Sequence, residues 1–66
     1  MNGVVTLADL RPGVRVRHLE SEITGMILSA ARDTRVLQWD ESFLEETVSP
    51  DGPLFPSDLM VIEDAA

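Results

Sequence analysis

Apolar residues recur along this chain with a period of two, not 3.6, and the runs are short and bounded by Pro-Gly or Gly-Pro punctuation. That pattern predicts strands. Val14, Val16 and His18 alternate with Arg15, Arg17 and Leu19, giving a half-buried strand over 14–19 entered through the Pro12-Gly13 turn. Residues 20–23 form the first loop. A second strand over 25–29 places Ile27 on one face and Met26 and Leu28 on the other, and 30–34 is a polar connection. In the third strand, 36–40, Leu37 and Trp39 share a face, which marks Trp39 as a core residue. The step Asp40-Glu41-Ser42 then fits a tight hairpin leading into a fourth strand over 43–48.

The segment 49–55 holds two prolines and a glycine and cannot continue a ladder. It reads as a loop, either exposed or folded back as a lid that buries Leu54 and Phe55. Pro56-Ser57-Asp58-Leu59 has the form of one 3₁₀ turn, with proline's fixed φ at its start, before a last strand over 60–62. Residues 63–66 read as a frayed acidic tail, and 4–10 is open between an extra edge strand and a helical turn. Five short strands with turns every eight to twelve residues imply an all-β domain, a small barrel or sandwich.

Length and composition narrow this. Sixty-six residues at 7.3 kDa allow one domain, with its core over about 10–62, and exclude two-domain enzymes with an enclosed cofactor cleft. The 44% apolar fraction suits a folded core, and the lack of cysteine removes disulfides and Cys-based zinc sites as staples. No stretch nears the ~20 apolar residues of a membrane span, and 1–10 lacks the features of a signal peptide, so the expectation is a cytoplasmic protein without membrane contact. Five Arg and no Lys against twelve Asp plus Glu give a net charge of −7 and a pI near 4.3. Such a chain repels nucleic acid backbones and favours basic or neutral partners.

In order and spacing, several segments resemble the SH3-like barrels of the Tudor and KOW type. Leu10-Arg11-Pro12-Gly13-Val14-Arg15-Val16-Arg17-His18 looks like their "G-x-x-V" first strand, and Thr24-Gly25-Met26-Ile27 like the glycine-initiated second. Val36-Leu37-Gln38-Trp39-Asp40-Glu41 is similar to the third strand with its acidic hairpin, and Pro56-Ser57-Asp58-Leu59 to the turn before the last strand. The resemblance implies a five-stranded SH3-like barrel with a short 3₁₀ turn before its final strand. It does not fix function, because barrels of this kind serve many. A Tudor-type reader needs an aromatic cage of three or four rings. This chain has Trp39, Phe43, Phe55 and no Tyr, with Trp39 on the presumed core face.

Catalytic chemistry finds little to rest on. His18 is the single histidine and points with Val14 and Val16 toward the interior or rim, and the serines lack a nucleophile-elbow glycine pattern. Asp40, Glu41, Glu45, Glu46 and Asp51 crowd one hairpin, but 40–51 lacks the central glycine of an EF-hand-like loop, so they read as a solvated acidic face. No metal, cofactor or catalytic residue is assigned.

The leading functional expectation is a non-enzymatic interaction module. It binds a protein partner, or its own copy as a homo-oligomer, through an apolar face with an acidic rim made of Met26, Leu28, Phe43, Phe55 and Glu45. The alternative is a nucleic-acid-associated regulator in which Arg11, Arg15, Arg17, Arg32 and Arg35 converge on one surface. A third reading is an enzyme or enzyme subunit of the type II dihydrofolate reductase kind, whose Val-Gln-Ile-Tyr strand Val36-Leu37-Gln38-Trp39 loosely resembles with its glutamine in another register.

Overall fold

A computed structural model describes residues 4–65. The chain is all-β: β1 (Arg15–His18), β2 (Thr24–Ala30), β3 (Arg35–Trp39), β4 (Glu45–Val48) and β5 (Leu59–Glu63), with lone 3₁₀ turns at Leu7–Asp9 and Pro56–Asp58. The five strands pair antiparallel, in the order β4-β3-β2-β1-β5. The arrangement is compatible with a small barrel-like fold, but the sheet does not close on itself.

Local chemistry explains the entries and bends. Val14 N–H donates to the Arg11 carbonyl at 3.0 Å, closing a turn in which Pro12 supplies the fixed φ and Gly13 adopts φ +93°. Both 3₁₀ turns are closed alike: Asp9 accepts from Thr6 N–H at 2.9 Å, and Asp58 accepts from Phe55 N–H at 3.0 Å. The first turn settles residues 4–10 as helical in part, not as an extra strand. Register shifts between Arg15 and Val16 and between Ile27 and Ser29 mark bulges that bend the sheet around its contents.

Those contents are Leu10, Val14, Val16, Ile27, Leu37, Trp39, Val48, Leu54 and Leu59. Trp39 is in the core, 9% exposed, and its Nε1–H donates to Glu46 Oε1 at 2.9 Å, which satisfies the one polar atom of the ring. Gly25 is buried where β2 crosses β3 so closely that a Cβ would lie 2.5 Å from the Gln38 carbonyl oxygen. No helix among the described residues is long and apolar enough to cross a membrane.

Two expectations are corrected. Residues 49–55 form only half a lid: Leu54 bridges to Val48 and is buried, while Phe55 stays 44% exposed. The expected frayed tail is partly structured, since Glu63 closes β5 and Ala65 packs against the core; Ala66 lies outside the described residues.

Candidate functional site

The β3–β4 hairpin is where the structure departs most from the sequence expectation. The fourth strand begins at Glu45, so Phe43 and Leu44 belong to the connection. Trp39 N–H donates to the Leu44 carbonyl and Phe43 N–H to the Trp39 carbonyl, both at 2.9 Å, which closes a loop over 40–43. Phe43 ends that loop at φ +60°. Hairpins usually put Gly or Asn in such a left-handed position, where a Cβ and a bulky ring are disfavoured. Nor does the ring gain burial in return: Phe43 is 70% exposed and Leu44 68%. Two adjacent large apolar side chains therefore stand in solvent, flanked in sequence by Asp40 and Glu41 on one side and Glu45 and Glu46 on the other.

The sheet's outer face continues from this tip. Register aligns Arg15, Met26, Gln38 and Glu45 across β1 to β4, and Gln38 Nε2–H donates to the Phe43 carbonyl at 3.1 Å. Of the five residues expected to form the apolar face, Met26, Phe43 and Glu45 thus gather at one end. Leu28 is the bulged residue of β2, and Phe55 is on the loop after β4 with its ring over Gly52. Leu44 was missed because its place in the alternation gave it no special exposure. The signal available was the pair of carboxylates on each side of Phe43-Leu44, Asp40-Glu41 before Ser42 and Glu45-Glu46 after.

Charges beside the tip are organised. Arg15 forks onto Asp40 with hydrogen bonds of 3.0 and 2.5 Å, and Thr24 Oγ1–H donates to Asp40 at 2.6 Å. The Arg15 hydrogen bond, and after it that of Thr24, holds the Asp40 carboxyl below its ordinary value of 3.8. The negative rim is therefore made by Glu41 and Glu45, while Glu46 holds the Trp39 ring and Asp40 serves to fix the hairpin to β1 and β2.

Four of the five arginines are engaged within the chain. Arg15 is held by Asp40, Arg11 pairs with Asp64, and Arg17 reaches the Met60 sulfur at 3.3 Å. Arg35 has a structural task that sequence reading did not find: its guanidinium donates to the carbonyls of Leu7, Leu10, Ala31 and Thr34 at 2.6–2.9 Å, tying the first 3₁₀ turn to the β2–β3 loop. Arg32 sits in that loop and is exposed.

His18 is placed at the rim, as expected, with its ring centroid 6.3 Å from that of Trp39. Its Nδ1 accepts from the backbone N–H groups of Glu20 and Ser21 at 3.1 and 3.3 Å. The ring's lone pair thus orders the β1–β2 loop. Among the described residues, no three His, Asp or Glu side chains gather to hold a metal ion. Compared with protein-family models, with curated proteins and with solved structures, the chain gives no match.

Proposed function

We propose that this chain is a small non-enzymatic protein-interaction module, built on a barrel of the SH3-like type, that docks onto a basic protein surface through Phe43 and Leu44. The observation that carries the reading is the double disadvantage at one residue: a ring 70% exposed on a left-handed backbone, which the fold's own packing does not explain. An exposed aromatic beside an aliphatic side chain is the usual form of an interface anchor, and a carboxylate rim selects a partner whose cleft is bordered by Lys or Arg. Met26 and Glu45 extend the surface along the sheet.

The SH3-like reading is supported by five short antiparallel strands with a 3₁₀ turn before the last one. The nucleic-acid reading has less support, with four arginines engaged within the chain. The test compares the proteins retained by the native chain with those retained by the Phe43→Ser/Leu44→Ser variant, followed by titration of the purified partner. A partner that loses at least tenfold in affinity with the double variant, and weakens with added salt, supports the reading. A partner bound equally by both proteins overturns it.

A further inference from the structure

At the far edge of the sheet, β5 has β1 as its only strand neighbour among the described residues, and the space beyond it is a groove of about 760 Å³. Leu59, Met60 and Val61 form one wall, while Val4, Val5 and Ala8 form the other. Leu19 N–H donates to the Asp58 carbonyl, which fixes the phase of the β1–β5 ladder and makes Arg17–Met60 its next hydrogen-bonded pair. By alternation, Val61 turns its N–H and C=O toward the groove. Leu59 turns its C=O the same way, while its N–H is already used by the Pro56 carbonyl.

The two sheet edges are treated differently. On β4, Glu45 and Glu46 carry charge and the chain returns to cover Val48 with Leu54. On β5, the run Leu59-Met60-Val61-Ile62 has no proline and no charge, and the one protective device it carries, the bulge at Ile62, lies past Val61 and leaves Leu59 to Val61 as regular edge.

We infer that the β5 edge is a second docking site, separate from the hairpin tip, which takes an extended apolar segment of a partner as an added strand, with basic residues at both ends of that segment. Asp58 precedes the strand, Glu63 and Asp64 end it, and Asp9 stands at the groove's other wall, so four carboxylates bracket the apolar stretch against Arg11 on Asp64, Arg15 opposite Glu63 and Arg17 on Met60. This charge pattern disfavours a second copy. Antiparallel pairing of two β5 strands centred on Val61 sets Asp58 opposite Asp64 at both ends and joins two chains that each carry −7. A main-chain ladder supplies affinity, and the alternate side chains of the added strand fill the slot beside Val5 and Ala8.

The probe is the synthetic peptide Lys-Lys-Val-Thr-Val-Thr-Val-Lys-Lys, titrated into the ¹⁵N-labelled full chain. The inference expects the largest amide shifts at Val4, Val5 and from Leu59 to Val61, with slowed exchange of the Val61 amide. A peptide N-methylated at alternate residues, and one flanked by Glu instead of Lys, each bind at least tenfold more weakly. Ala8→Arg, at an exposed position on the groove wall, weakens binding at least tenfold, while Phe43→Ser leaves it unchanged, which separates this site from the hairpin reading. Shifts confined to 40–46, equal binding of the N-methylated peptide, or no binding at millimolar peptide overturns it. So does a dimer of the free chain that Ala8→Arg breaks, since the edge then belongs to a second copy.

Discussion

Trp39 and Asp40 are adjacent, and they show how single residues divide the work between core and surface. The Trp39 ring fills the interior and its one donor is satisfied by Glu46. Trp39→Ala is expected to cost about 3–5 kcal/mol, enough to unfold much of so small a domain at room temperature, and urea denaturation checks it. An unchanged midpoint contradicts the packing described. Asp40 makes a prediction in pH. Its folded carboxyl is held below the unfolded value of 3.8, so its stabilisation is fully present above that value and is lost as pH falls through the lower, folded one. The stability gap between native protein and Asp40→Asn should therefore be widest near neutral pH and narrow below about pH 4. A gap that stays constant in urea titrations across that range removes the Arg15–Asp40 pair from the account.

At the scale of elements, Gly25 and Leu54 carry the sharpest expectations. A Cβ at position 25 meets backbone, which cannot swing aside as a side chain can, so Gly25→Ala should destabilise by at least ~1–3 kcal/mol. Leu54→Ala should cost ~2–5 kcal/mol by emptying the lid's buried contact, with thermal melts ranking both against Phe55→Ala, which loses less. The strands were legible because alternation and Pro-Gly punctuation both report on a backbone half-buried in a sheet. Val14, Val16, Ile27 and Leu37 all went where period two sends them. The bulge at Leu28 and the left-handed end of the β3–β4 loop were not legible, because each depends on how two strands meet and neither changes the local pattern. Phe43 illustrates the point: a β-former at that position extends a strand on paper, yet the hairpin closes one step later through Leu44. Arg35 was read as a candidate surface charge for the same reason. The four carbonyls that hold it come from two segments, 7–10 and 31–34, the first of them remote in sequence.

For the molecule as a whole, a charge of −7 sits on a frame whose arginines are largely engaged in internal contacts. Duplex DNA or RNA should accordingly bind no better than about millimolar at physiological salt, and fluorescence anisotropy decides this. A micromolar complex that weakens steeply with salt reverses the order of the functional readings. What the account claims above all is that the Phe43–Leu44 tip serves something outside the fold. Equilibrium urea unfolding of Phe43→Gly tests that without knowledge of the partner. Glycine relieves ~1–2 kcal/mol of left-handed strain and returns about 0.4–1 kcal/mol of unfolded-chain entropy, so the account predicts a variant as stable as the native chain or up to ~1 kcal/mol more stable. A loss of ~2 kcal/mol or more contradicts it, because the ring would then be packing its own sheet.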